Sequence, residues 1–281
     1  MRLLVAHDGR DGGRDALELA RVFAASDSNA SALVVTVLNG GPVPMEHALL
    51  PEEEAGEAEA VLAEARDVLA DLDVETRAYG GGSPAAILTT IAEGEELDAI
   101  VVGSPHRGAI GRVVLGSVGR SLLSGAPVDV AVAPAGYAQA AHEPLRDIAV
   151  GYDGAPESKL ALQRAEALAK RSNAKIELVT VVVPPVATPV MVPGASAPES
   201  PPQPDKVINE GIHSIDSSLA AEPIRRDGDP AAQLLQVCEE GVDLLVVGSR
   251  GYGPLTRVLL GSVSRDVIRK APCPVLAVRR Q

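Results

Sequence analysis

The chain has 281 residues, enough for two compact domains, and 46% of them are hydrophobic, enough to fill real cores. Aromatic residues make up only 2%, with no Trp, so those cores must be built from Val, Leu, Ile and Ala; this suits parallel sheets covered by helices and argues against nucleic-acid binding by base stacking. A formal charge of −13 repels DNA, RNA and anionic lipid at long range, which leaves any phosphate ligand dependent on local amides and a few arginines.

From the N-terminus, Met1 to Asp8 is a short apolar run ending in charge. No apolar run reaches the ~18 residues of a membrane span. The expectation is a soluble, cytoplasmic chain without a signal peptide. Short β-branched runs then alternate with amphipathic segments, which predicts β-α-β units and a parallel sheet. The predicted strands of the first half are Leu3 to Ala6, Ala32 to Leu38, Val74 to Tyr79, Ala99 to Val102 and Val128 to Ala133. Between the second and third of them, Ala58, Val61, Leu62, Ala65, Val68, Leu69 and Leu72 recur at helical spacing and predict an apolar stripe against the sheet. Glu52 to Glu54, Glu57 and Glu59 stand at the start of that helix, where its dipole favours negative charge; this reads as a solvated helix start rather than a metal site.

The pattern then repeats. A shift of 145 residues lays Leu4-Val5-Ala6-His7-Asp8-Gly9 on Ala149-Val150-Gly151-Tyr152-Asp153-Gly154, and Asp98 to Ser104 on Asp243 to Ser249. It also lays Arg112 to Val118 on Arg257 to Val263. The chain is therefore two homologous halves, residues 1–136 and 145–281, joined near Pro134 to Arg146. Within the second half, Pro184 to Pro204 is rich in Pro, Ala and Ser and reads as a long surface loop, a simple insertion or a lid. Cys238 and Cys273 lie in apolar stretches and are expected to pack in the core. His47, His142 and His213 are expected in solvated loops or helices, and the five histidines show no metal-ligand spacing.

In an open parallel sheet, ligands bind at the carboxyl ends of the strands near the point where strand order reverses. After the fourth strand of the second half comes Gly248-Ser249-Arg250-Gly251, then nine residues, then Gly261-Ser262-Val263-Ser264. The glycines allow close backbone approach to a phosphate, and Ser262 is expected as the N-cap of the helix that follows. The Gly-x-x-Gly, nine residues, Gly-Ser pattern resembles the ATP-binding signature of the universal stress protein family. The resemblance includes Asp8-Gly9, Asp153-Gly154 and the closing Ala-Pro-Cys-Pro-Val-Leu-Ala-Val of 271–278.

The resemblance implies two tandem, doubly wound, five-stranded parallel-sheet α/β domains, Rossmann-like and adenine nucleotide alpha-hydrolase-like. It implies that Asp153 accepts hydrogen bonds from the nucleoside and that Val181 holds adenine through its backbone. Gly248, Arg250 and Gly251 would line ribose and phosphates, with Gly261, Ser262, Val263 and Ser264 binding the phosphates. Asp8, Val37, Gly103, Gly116, Ser117 and Val118 would carry the same roles in the first half. There the sequence departs from the pattern: His106 stands where Gly251 stands, and Pro105 removes an amide donor. The first site is therefore either weakened or supplied with a histidine contact. The resemblance also implies that the halves pair through their last strands as a pseudo-dimer within one chain, with a homodimer of chains as a further option.

No Gly-Lys dipeptide, Gly-x-Gly-x-x-Gly turn or Gly-x-Ser-x-Gly elbow occurs, so a Walker loop, a dinucleotide site and an esterase nucleophile are not indicated. The expected function is an ATP-binding stress regulator, with or without Mg, that hydrolyses ATP slowly at most. Two alternatives stand beside it: an adenine-nucleotide enzyme (an ATPase or an α-phosphate transferase), and a dimerising scaffold that binds no nucleotide.

Overall fold

The computed structural model describes residues 1–25, 27, 29–38, 45–46, 52–105, 111–184, 204–249 and 261–280. In the first half the strands are β1 (Arg2–Ala6), β2 (Ser31–Leu38), β3 (Met45–Glu46), β4 (Asp73–Gly80), β5 (Ala99–Gly103) and β6 (Asp129–Ala133). The second half supplies β7 (Asp147–Gly151), β8 (Lys175–Val182), β9 (Ala221–Asp227), β10 (Leu244–Gly248) and β11 (Val275–Val278). The five predicted strands of the first half are present within a residue or two at each end. The two-residue β3, antiparallel to β4, is an addition that sequence periodicity could not reveal at that length.

Among the described residues, the eleven strands share one sheet, in the order β3-β4-β2-β1-β5-β6-β11-β10-β7-β8-β9. Each half follows the same path. The chain runs outward from β1 through β2 to β4, then returns to the other side of β1 for β5 and β6, all parallel. The reversal point lies between β1 and β5, and between β7 and β10 in the second half.

Helices cover both faces, which makes each half doubly wound. On one face lie α1 (Asp11–Ala24), α2 (Glu52–Val68), α5 (Pro156–Ser172) and α6 (Pro204–Ser214), with Leu17, Leu62, Leu162 and Ile208 packed on Leu3, Val5, Val34 and Ile176. On the other lie α3 (Pro84–Gly94), α4 (Ser117–Gly125), α7 (Pro230–Glu239) and α8 (Ser262–Ile268), with Leu88, Leu122, Val237 and Val267 on Leu4, Leu33, Leu245 and Val275. Strand residues thus alternate between two dry layers, which is why the strands read as continuous Val, Leu and Ile runs. Cys238 and Cys273 are buried in the second layer as expected, and the neighbouring Cys238 thiol together with burial pushes the Cys273 thiol pKa well up. In α2 the expected stripe holds at Ala58, Leu62 and Ala65, with Leu69 buried beyond it; Val61 and Leu72 are half-buried and Val68 is 38% exposed. Pro204 begins α6, and the rest of the predicted Pro-rich loop from 185 to 203 lies outside the described residues.

The halves are joined by strand pairing. β6 and β11 run antiparallel, with Val132 opposite Val275, Ala131 opposite Leu276 and Val130 opposite Ala277. Asp129 ties the seam: it accepts from the Arg279 amide at 2.9 Å and pairs with Arg164 Nε at 3.0 Å. Burial raises the pKa of Asp129, and the Arg279 amide and Arg164 counter this. The Val113 amide also donates to Ala271 across the seam at 2.8 Å. The connection between the halves is held by buried Asp15 of α1, whose carboxylate accepts from the amides of Gly136 and Ala138 at 2.9 and 2.8 Å. His142, expected in a solvated loop or helix, lies in a loop, half-buried, and stacks on Tyr137 with ring centroids 3.7 Å apart. Among the described residues no helix is long and apolar enough to cross a membrane.

Candidate functional site

Each half turns sharply after its first strand, and the same local chemistry makes the turn twice. Asp8 Oδ1 accepts from the Arg10 amide and Asp153 Oδ1 from the Ala155 amide, both at 3.1 Å, while Gly9 and Gly154 take φ of +73° and +78°. An aspartate closing such a turn and a glycine in the left-handed region are what the geometry demands. The helix that follows, α1 or α5, is thereby brought against the end of the strand on the far side of the reversal point. The approach is backbone on backbone. A Cβ at Gly248 would lie 2.6 Å from the Glu157 carbonyl oxygen, and one at Gly103 would collide with the Gly12 carbonyl. The signature glycines at 103 and 248 are therefore required first by helix–strand packing, whatever ligand they also face.

In the second half a cavity of about 230 Å³ opens at the carboxyl ends of β7, β8 and β10. Its lining combines apolar residues, Val179, Val181, Val183, Leu234 and Val263 among them, with polar ones, Asp153, Glu157, Ser158 and Ser264, and with Gly248. Five of the expected residues, Asp153, Val181, Gly248, Val263 and Ser264, thus converge on one space. Gly261 and Ser262 stand at the head of α8, but the N-cap is Gly261 and Ser262 is already the first helical residue, so the helix begins one position earlier than the sequence suggests. The Gly261 backbone is extended (ψ 157°), so it fills the cap position without a side chain. The Ser264 hydroxyl donates to the Gly248 carbonyl at 2.8 Å, tying α8 to the end of β10, so its proton is committed within the protein. Arg250 and Gly251 lie outside the described residues.

The first half arranges the corresponding residues differently. Gly116 is the N-cap of α4 and Ser117 its first residue, with Val118 next. The Pro105 ring packs against Gly116, where a Cβ would meet its Cγ at 3.4 Å. Gly119 replaces Ser264, so the hydroxyl clip is missing. Val37 is half-buried near the end of β2 and Asp8 is exposed. His106 lies outside the described residues.

A feature that motif reading passed over sits beneath this first site. His7 continues the inward alternation of Leu3 and Val5 and is 1% exposed, and both its ring nitrogens lack a hydrogen-bond partner. Its nearest counter-charge is Glu64 of α2, 3.6 Å from Nε2 and itself held by Arg14 Nε at 2.5 Å. Thr36 beside it on β2 also has a buried, unpartnered hydroxyl, whereas the corresponding Thr180 donates to the Tyr152 carbonyl at 2.9 Å. The two halves accommodate their rings in opposite directions. His7 leans on Gly13 of α1, where a Cβ would lie 2.5 Å from Nδ1, while Tyr152 leans on Gly211 of α6, where a Cβ would lie 2.7 Å from Cε1.

Burial lowers the His7 pKa from its ordinary 6.5, against the opposing pull of Glu64, the Gly13 backbone and Asp8, with Arg14 adding to the lowering. Because the native state resists this proton and the unfolded chain accepts it, stability should fall as pH drops below 6.5, by at most about 1.4 kcal/mol per pH unit. Urea midpoints at pH 7 and 5.5 should therefore differ more in the parent than in His7→Gln. Equal differences would refute the assignment. Glu64, whose pKa is lowered chiefly by the Arg14 hydrogen bond, acts in a separate, more acidic window.

Comparison with known proteins agrees with this architecture. The model of the Universal stress protein family matches residues 1–134 and 144–279. A universal stress protein of Mycobacterium tuberculosis is 33% identical over 195 residues, covering 68% of this chain; the match spans 65% of that relative's length. A second one from the same organism is 27% identical over 295 residues, with 99% of both chains covered. Among solved structures, a universal stress protein from Archaeoglobus fulgidus DSM 4304 has the same fold at a TM-score of 0.74 and 22% identity, covering 100% of this chain and 98% of that one. With two family matches in tandem along one continuous sheet, the chain belongs to the universal stress protein family.

Proposed function

We propose that the second half binds an adenine nucleotide, ATP first among them, and that the protein works as a nucleotide-binding regulator in the cytoplasm. The observation that carries this reading is the cavity of about 230 Å³ on which Asp153, Val181, Gly248, Val263 and Ser264 converge. Its mixed lining suits a flat base against valines and a hydroxyl-rich ribose against Asp153 and Gly248. It is smaller than the roughly 300 to 1,000 Å³ of sites that enclose a whole drug-sized ligand. The space therefore fits base and ribose, with the phosphates reaching outward towards the head of α8. Asp153 would hold the ribose through its carboxylate. The first half lacks the serine clip and has the Pro105 ring over its helix start, which supports one strong site per chain.

The test is direct. Denaturing the purified chain and identifying what it releases by chromatography should yield adenine nucleotide at about one per chain, or calorimetry of ligand-free protein should show ATP binding at that ratio. Asp153→Ala should weaken binding at least about tenfold, the cost of losing a charge-assisted hydrogen bond. Neither released nucleotide nor calorimetric binding would end the proposal. Turnover faster than roughly 1 per second would replace the regulator with an enzyme.

A further inference from the structure

Two helices meet over the buried ring of His7 through one shared carboxylate. The charged groups set around the ring are Asp8 in the turn, Arg14 of α1 and Glu64 of α2, and neighbouring β2 brings the neutral Thr36. Glu64 faces two ways. Its Oε1 accepts from Arg14 Nε at 2.5 Å and its Oε2 from Arg14 Nη2 at 3.3 Å, a fork that ties α1 to α2. The same Oε2 lies 3.6 Å from His7 Nε2, too far for a hydrogen bond and close enough for an ion pair. Arg14 also pairs with Asp11 at 3.2 Å, so it keeps a partner when the fork opens. One turn before Glu64, Val61 rests on the Asp8–Gly9 turn, where a Cβ at Gly9 would lie 2.8 Å from its Cγ2. The second half keeps the carboxylate without the device: Tyr152 stands for His7, Lys159 for Arg14 and Glu210 for Glu64, and Glu210 pairs with Lys206 of its own helix at 3.8 Å.

We propose that the first half contains a proton-operated latch: a proton on His7 draws Glu64 Oε2 onto the ring, opens the Arg14 fork and shifts the Asp8–Gly9 turn beneath Val61. A neutral imidazole makes no demand on the carboxylate. An imidazolium carries two donors and a full charge, and at 1% exposure it must be paired; Glu64 is its nearest counter-charge. Drawing Oε2 inward takes it from Arg14 Nη2, so the bidentate tie between α1 and α2 becomes a single contact through Oε1. In the second half burial raises the Tyr152 hydroxyl further above its ordinary range, so that ring stays neutral wherever a histidine titrates. The duplication thus separates two tasks, and the latch depends on no ligand at either half.

NMR of the full chain from about pH 8 to about pH 5 tests this, following the His7 ring, the Arg14 Nε–H and the Gly9 amide. All three should shift with one midpoint below 6.5, since burial lowers the His7 pKa, while the Gly154 amide of the second half stays flat. In His7→Gln, and separately in Glu64→Gln, the Arg14 and Gly9 shifts should be lost. A His7 ring that titrates while Arg14 and Gly9 stay fixed overturns the latch. So do Arg14 and Gly9 shifts that survive in His7→Gln, and so does a ring that stays neutral down to about pH 5.

Discussion

Replacing Gly103 with alanine should destabilise the protein by about 3 kcal/mol, the upper end of the cost of overpacking. The new methyl group would collide with the backbone of Gly12, its carbonyl oxygen first, so backbone rather than a flexible side chain must yield. Yielding means sliding α1 away from β5, and α1 is anchored by Leu17, Leu19, Ala20, Val22 and Phe23, each at most 3% exposed. Gly248→Ala, with its Cβ 2.6 Å from the Glu157 carbonyl oxygen, should behave the same way in the second half. Urea unfolding at constant m-value measures the loss. Gly56→Ala in α2, with open space around it, is the control and should stabilise by about 0.5 to 1 kcal/mol through helix propensity. A Gly103→Ala midpoint no lower than that of the parent would show that the helix–strand approach tolerates a methyl group.

The second large effect is expected at the seam. Leu276 of β11 is 3% exposed, pairs with Ala131 of β6 and packs in the layer beneath α1 and α5. Leu276→Ala should cost about 3 kcal/mol, the middle of the range for a buried leucine truncated in a core that cannot collapse around the gap. Because the truncation lies where the halves join, the loss should reach both of them. Probes reporting on either half should lose midpoint together, whereas Val183→Ala, at 59% exposure, should move neither by more than about 0.5 kcal/mol. A change confined to the second half would mean that the strand pairing does not couple the two.

The parts of the fold that were legible in the sequence are those written twice. The shift of 145 residues matches Gly12 with Glu157 and Ser104 with Ser249, and each serine donates to the carbonyl that ends its neighbouring strand, Ala133 or Val278. Single shifts also hide detail. The register slips to 144 at Val37 and Val181 and to 146 at Ala65 and Gly211, so the exchange of His7 with Ala65 for Tyr152 with Gly211 could not be seen by sliding the chain at one offset. The burial of His7 could have been read from alternation, since Leu3, Val5 and His7 are two residues apart; a histidine beside an Asp-Gly turn looks like part of the turn instead. Glu157 was invisible for the reason that acidic residues at helix starts are ordinary. Its distinction is Arg280, 123 residues later, brought beside it by the pairing of β10 with β11. The helix start at Gly261 differs by one position because an extended glycine can serve as the cap when the next residue is already helical.

The antiparallel seam has a consequence for where the molecule can be touched. Strands of one half end where strands of the other begin, so the carboxyl ends of the two sets of strands lie at opposite poles of the sheet. The pole opposite the second cavity carries the amino ends of β7, β8 and β9, with Lys175 bridged to Asp147, Glu177 and Glu222. Whatever occupies the second cavity therefore leaves the opposite pole accessible. One chain thus presents two chemically different poles, and contact at one does not block the other.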